Sequence, residues 1–209
     1  MNEVQQAYNS WAQQYDSNEN KTRDLEAKSL TETLARLSFD HCLEIGCGTG
    51  KNTVWLLEKA ATVTAVDLSE EMLAKAKKKI ASPNVTFVQA DITQPWTFAT
   101  KTYDLVGFSL VLEHIEYLEP VFANVAAVLK PGGYLYISEL HPFKQYNGSK
   151  ARFETAEGTQ VVTCFNHHIT DFITAANANG LSILIINEYF DGDDKTTIPR
   201  LLTLLFRKI

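Results

Sequence analysis

The chain is expected to fold as an α/β protein, with a parallel sheet covered by helices on both faces. Three observations predict this. From residue 41 onward, short apolar and β-branched runs alternate with segments of helical periodicity. A glycine-rich loop, "GCGTG" at 46–50, separates the first strand-like run from the helix-like run after it. The 209 residues are 45% hydrophobic and 21% charged, which is enough apolar material for one full core.

The elements follow in order. Val4, Tyr8, Trp11 and Tyr15 share one face of a helix over residues 2–15. The polar run "DSNENKTRD" (16–24) reads as a loop, and Leu30, Leu34 and Leu37 mark a second helix. "HCLEIG" is a strand entering the glycine loop and "KNTVWLLEKA" the helix leaving it; "TVTAVD" is the second strand. Ser69 is placed to cap "EEMLAKAKKKIA", whose two leading glutamates suit the positive end of the helix dipole. "NVTFVQAD" and "YDLVGFSL" are the third and fourth strands. The helix through Leu118, Val121, Phe122, Val125 and Leu129 stops at "KPGG", a turn signal. "YLYISEL" is the fifth strand. After the stretch 141–168, Ile169, Phe172, Ile173 and Ala176 form a helical face that ends at Asn179-Gly180. "LSILIINEYF" and "RLLTLLFRK" complete the chain as strands.

The net charge of −6 argues against a nucleic-acid partner, which needs a basic face. The start lacks the pattern of a signal peptide, and no apolar run approaches the roughly 18 residues of a membrane span. Cys42, Cys47 and Cys164 suit neither a disulfide framework nor a zinc site, so no metal is expected and a cytoplasmic setting is. "DGDDK" lacks the further ligands of a calcium loop and reads as a solvated turn.

The glycine loop carries the functional signal. As a P-loop it fails twice, with Ile45 at the first glycine position and Asn52 at the magnesium-binding hydroxyl position. As a dinucleotide turn it runs G-x-G-x-G, with Lys51 where a third glycine should stand. Asp67, twenty-one positions after Gly46, sits at the spacing of an acid that meets ribose hydroxyls. Glu44 precedes the loop and Asp91 closes the third strand. Carboxylates suit a ligand with a diol, an amine or a sulfonium better than a pyrophosphate.

"LEIGCGTG", "VDLS", "QADI", "YDLVGFSLVLEHI" and "LKPGGYL", in that order, resemble the class I S-adenosylmethionine-dependent methyltransferases, in particular the small-molecule group that includes the ubiquinone-biosynthesis type. The resemblance covers about residues 41–140, and "YNSWAQQYD" resembles that group's opening helix. It implies a Rossmann-like sheet of seven mostly parallel strands, the last antiparallel. It implies S-adenosylmethionine as cofactor, with Gly46, Gly48 and Gly50 beneath its methionine part, and Glu44 and Cys47 in the same loop region. Asp67, followed by Leu68, would bind the ribose and Asp91 the adenine amine. Met72 and Ile92 would pack on the adenine, and Ser109 and Leu110 would flank the methionine end. Tyr15 belongs to the opening helix that tends to cover the cofactor. Arg23 could pair the ligand's carboxylate through its forked donors.

Residues 1–40 then form a helical cap, 41–209 the core, and 141–168 the acceptor side. That last segment supplies His141, Lys144, Tyr146, Lys150, Arg152, His167 and His168. His141, directly after the fifth strand, is the candidate general base. Lys144, Lys150 and Arg152 could receive an acidic acceptor or form a solvated face. No [ND]-P-P-[YF] follows the fourth strand, no cysteine pair suggests covalent base methylation, and no acidic metal set is evident, which leaves a small-molecule acceptor. A catalytically silent S-adenosylmethionine-binding regulator and a nicotinamide-dependent oxidoreductase are the alternatives.

Overall fold

The computed structural model describes residues 3–17, 19–155 and 158–209. Its strands are β1 (His41–Ile45), β2 (Thr62–Asp67), β3 (Val85–Gln89), β4 (Tyr103–Ser109), β5 (Leu129–Leu140), β6 (Arg152–Thr155), β7 (Gly158–Val161), β8 (Leu181–Tyr189) and β9 (Leu201–Lys208). The helices are α1 (Glu3–Trp11), α2 (Lys21–Leu34), α3 (Lys51–Lys59), α4 (Glu70–Lys79), α5 (Leu118–Val128), α6 (Pro142–Tyr146) and α7 (Ile169–Ala178). Seven strands form one sheet in the order β3-β2-β1-β4-β5-β9-β8. β1 to β5 pair in parallel, and β9 runs antiparallel between β5 and β8. β6 and β7 make a separate hairpin inside the acceptor-side segment.

Both faces of the sheet are buried, which explains the near-continuous apolar strands. Leu43 and Ile45 of β1 point into the cluster that contains Phe122 and Val125 of α5 and Phe172 and Ala176 of α7. Cys42, one position before Leu43, faces the cluster that holds Leu30 and Leu34 of α2 and Leu56 of α3. The period-two alternation therefore sorts β1 between two helical layers.

Two expectations are corrected. The loop over 16–24 ends early, because Asn20 caps α2: its side-chain oxygen accepts from Thr22 N at 3.0 Å and Arg23 N at 3.1 Å. The cap turns "KTRD" into the first turn of the helix. "KPGG" does not break the chain away from the sheet. It forms an irregularity inside β5, where Tyr103 pairs with Leu129 and Leu105 with Tyr134. Gly132 takes the left-handed φ of 78° that this kink requires. The expected start of the first helix at residue 2, Asn18 of the expected loop, and residues 156 and 157 of the acceptor-side segment lie outside the described residues.

The strand order reverses between β1 and β4: the chain proceeds from β1 toward β2 and β3 on one side and from β4 toward β5 on the other. Open α/β sheets bind ligands in the crevice at such a reversal.

Candidate active site

The chain leaves β1 at Ile45 and turns sharply through Gly46, Gly48 and Gly50, whose φ values are 72°, 53° and 83°. Gly46 has a second constraint, because a Cβ there would stand 2.1 Å from Val111 Cγ2. Asp67, at the end of β2, fixes the loop: its Oδ2 accepts from Gly48 N at 2.7 Å and its Oδ1 from Ser69 N at 2.8 Å. Ser69 caps α4 as expected, its Oγ accepting from Met72 N at 3.1 Å. Burial raises the pKa of Asp67, and the N–H groups of Ser69, Gly48 and Leu68 pull it back.

These elements enclose a cavity of about 120 Å³ at the ends of β1 to β4. Gly46, Gly48, Asp67, Leu68, Met72, Asp91, Ile92, Ser109 and Leu110 all lie on its wall, as does Tyr15. Asp91 is held by its own turn, its Oδ1 accepting from Thr93 N at 2.9 Å and from Thr93 Oγ1 at 2.7 Å. Leu110, in the left-handed region at φ 58°, is the one non-glycine residue with positive φ among those described. The Ser138 carbonyl holds it there by accepting from Leu110 N at 2.8 Å. A strained non-glycine residue on a cavity wall is characteristic of functional sites.

α1 closes the cavity from above. Gln5 Nε2 donates to the Leu68 carbonyl at 3.2 Å, and Ser69 Oγ donates to Asn9 Oδ1 at 2.6 Å. Tyr8 OH lies 2.9 Å from His114 Nε2, while His114 Nδ1 lies 2.7 Å from the Thr163 carbonyl. A carbonyl only accepts, so Nδ1 carries the proton, and in the neutral ring Nε2 accepts from the tyrosine. Trp11 stacks on Phe153 of β6 at 4.9 Å, joining α1 to the hairpin.

Tyr8, Tyr15 and Leu110 also line a second, larger cavity of about 530 Å³. Arg23 stands on this second wall, not on the first. Its guanidinium lies 4.2 Å above the Tyr15 ring, and Nη1 donates to the Tyr15 carbonyl. Lys144, Lys150 and Arg152 line the same cavity, together with Arg200 and Glu113.

Four expected site residues face elsewhere. Glu44 is buried behind the loop, where its Oε2 accepts from Thr53 Oγ1 at 2.5 Å, and burial pushes its pKa up to about 8. Cys47 packs in the core beside Leu56 and Leu73. Gly50 serves packing: a Cβ there would approach Ile80 Cδ1 to 2.7 Å. His141, the expected base, lines neither cavity. Its side chain is fully buried, Nδ1 accepts from Phe143 N at 3.1 Å to cap α6, and Nε2 lies 3.1 Å from Glu188 Oε1. Of the other acceptor-side residues, Tyr146 bonds to His168 at 2.6 Å and His167 to the Ile115 carbonyl at 2.7 Å; none of the three lines either cavity. Ligand atoms of Glu113, His114 and Cys164 come within 4.8 Å of one another. However, His114 Nδ1 is committed to Thr163, and burial pushes the Cys164 thiol up to about 12, far from the thiolate a metal needs.

Three buried acids escaped the sequence reading. Glu139 accepts from Val111 N at 3.0 Å and Leu112 N at 2.8 Å, fixing the turn after β4, and Glu113 lies in that turn. Glu26 accepts from Ser109 Oγ at 2.7 Å and Asn52 Nδ2 at 2.8 Å. A signal for Glu26 was present, because it stands four and eight positions before Leu30 and Leu34, on their buried face.

Residues 43–137 match the family described as a methyltransferase domain. A malonyl-[acyl-carrier protein] O-methyltransferase of Halalkalibacterium halodurans is 38% identical over 109 residues, 48% of this chain and 39% of that protein. The chain spans about half the length or less of most curated relatives it matches. Among solved structures, DhpI in its SAH complex superposes with a TM-score of 0.78 at 24% identity, covering 99% of this chain and 95% of that one. Its complex with SAM and HEP gives 0.76 at 25% identity, over 96% and 94%. An S-adenosylmethionine-dependent methyltransferase of Mesorhizobium loti gives 0.72 at 22% identity, over 88% and 98%.

Proposed function

We propose that the protein transfers a methyl group from S-adenosylmethionine to a small-molecule acceptor, because residues 43–137 match a methyltransferase-domain family and the chain shares the fold of solved S-adenosylmethionine-dependent methyltransferases. The observation that carries this reading is the pair of adjoining cavities that share Tyr8, Tyr15 and Leu110. One has the chemistry of a nucleoside site, and the other leaves room for an acceptor beside it.

The residues present fit the cofactor. Asp67 has its two carboxylate oxygens oriented by backbone N–H groups, each with lone pairs left for ribose hydroxyls. Asp91 keeps an oxygen for an exocyclic amine, and Met72 and Ile92 offer apolar contact for a base. Gly48 has only Tyr15 Cε1, at 4.0 Å, in the direction of a Cβ, so the backbone can lie close to a ligand. When bound, the sulfonium supplies an activated methyl group. The chain's own part is then to hold the acceptor atom in line with it, about 3 to 3.5 Å away, and to exclude water. Residues 1–40 act in this reading as a cap over both cavities, and 141–168 as the acceptor side. Two of the three free cysteines are buried, which suits a reducing cytoplasm. Among the described residues no helix is long and apolar enough to cross a membrane.

Calorimetric titration with S-adenosylhomocysteine, with NADH as control, tests the reading. Binding of the first alone is expected. In Asp67→Ala, the loss of two charge-assisted hydrogen bonds to the ribose, each worth about 1.5–3 kcal/mol, should weaken binding on the order of a hundredfold or more. Preference for NADH would reverse the assignment. Binding without turnover of any acceptor would favour the regulatory alternative.

A further inference from the structure

The larger cavity has a charge that the composition does not foretell. The chain is acidic, at −6, yet Arg23, Lys144, Lys150, Arg152 and Arg200 all line this one space. They converge from three separate places: the first turn of α2, the segment from α6 into β6, and the position just before β9. Two carboxylates oppose them. Asp191 is paired with Arg200 and stands 3.8 Å from Lys144, and Glu113 lies on the wall. Five cations against two acids leave an excess of positive charge, and Lys150 and Arg152 have no acidic partner among the described residues. Low-dielectric walls of tyrosine, tryptophan and leucine concentrate that field in the cavity.

Among the described residues no histidine lines this cavity. An amine in its ammonium form would be repelled here, and a neutral hydroxyl would need a base, for which the wall offers a single carboxyl, that of Glu113. An oxyanion needs neither. Its electron pair forms the new O–C bond while the C–S bond breaks toward sulfur. The positive sulfonium and negative oxygen become a neutral thioether and a neutral ester, with no proton to move.

Resting on the methyl-transfer reading, we propose that the acceptor is a small molecule bearing an oxyanion, a carboxylate or a phosphonate, which is methylated on oxygen. Arg23 and Arg200 hold it from the α2 side and Lys144, Lys150 and Arg152 from the hairpin side. A molecule with a second anionic group fits this two-sided arrangement, one group held while the other reacts.

The test titrates the S-adenosylhomocysteine-loaded protein with tricarballylate, with propylphosphonate, and with the fully methylated ester of each as an uncharged control. Turnover with S-adenosylmethionine is then followed by transfer of labelled methyl. We expect anion binding that weakens with salt, and no binding of the esters. A base-labile product identifies a carboxylate acceptor and a base-stable one a phosphonate. The double variant Lys150→Glu/Arg152→Glu should lose roughly tenfold or more in anion affinity at unchanged S-adenosylhomocysteine affinity. Should that variant not fold, Lys150→Gln/Arg152→Gln gives the same comparison with a smaller loss. The proposal is overturned if the loaded protein binds neither anion, or binds the esters as well as the acids. Failure to bind S-adenosylhomocysteine at all would instead remove the methyl-transfer reading and this proposal with it.

Discussion

Glu26 on α2 and Ser109 at the end of β4, 83 positions apart in the chain, are joined by a 2.7 Å hydrogen bond from the serine hydroxyl to Oε1. The same oxygen accepts from Tyr136 OH at 3.4 Å, and Oε2 accepts from Asn52 Nδ2 at 2.8 Å. One buried carboxylate thus ties the cap, the start of α3, β4 and β5 together directly behind the smaller cavity. Burial raises its pKa, and these three donors oppose the rise.

Glu26→Ala should therefore cost both stability and ligand affinity. The Ser109 hydroxyl is left without its acceptor, at a cost of about 1–3 kcal/mol, while Asn52 Nδ2 keeps Ser109 Oγ at 3.2 Å and Tyr136 OH keeps Ser29 Oγ at 3.1 Å. Urea unfolding is expected to lose about 1–3 kcal/mol, with weaker S-adenosylhomocysteine binding because Ser109 lines the cavity. Unchanged stability would show that the network is not a support.

Gly46→Ala meets two separate penalties, the left-handed φ of 72° and the approach of Val111 Cγ2 to 2.1 Å. The backbone penalty alone is about 1–2 kcal/mol. Adding Val111→Ala should recover the steric part and leave the backbone part. The melting temperature of the double variant is expected to lie between the single Gly46→Ala variant and the parent. No recovery at all would assign the whole loss to the backbone.

His141→Ala should lower stability by about 1 kcal/mol through the lost cap of α6, with the pH profile of turnover unchanged. A collapse of kcat in a folded variant would restore His141 to the chemistry. A histidine directly after the fifth strand is well placed for catalysis in one dimension, and only the fold turns it inward toward Glu188.

Other parts of the site were legible because they are local. Asp67 ends β2, Met72 stands in the first turn of α4 after it, and Asp91 and Ile92 come just after β3, so their places follow from the strand ends. The parallel sheet likewise needs only the alternation of periods. Arg200 and Glu113 carry no such mark. Arg200 reaches its cavity from the position just before β9, opposite Thr22 of α2, to which Nη1 donates at 3.0 Å. That contact joins residues 178 positions apart and has no local signature. Leu110 is illegible for another reason, since its positive φ is imposed by the Ser138 carbonyl against its own preference.

Two buried glutamates set the response to pH. Burial pushes both Glu44 and Glu139 up to about 8. An unfolded-chain glutamate titrates near pH 4.3, so above that pH the unfolded chain releases these protons while the folded protein keeps them. Their contribution is complete below about pH 4 and is lost as pH rises through 8, by about 1.4 kcal/mol per group for each unit between. The melting temperature is expected to fall from pH 5.5 to 8.5, and Glu44→Gln/Glu139→Gln should flatten that slope. An equally steep fall in the double variant would place the cause in other groups.

Tyr8 and Tyr15 belong to both cavities at once, so the two spaces do not have independent walls. Whatever first settles these rings has already met the entropy of ordering them, and the next guest finds that cost removed. Occupancy of one space must then change affinity for the other by the same factor in both directions. The N-terminal helix thereby makes the two ligands thermodynamic partners, although each cavity is lined for a different chemistry.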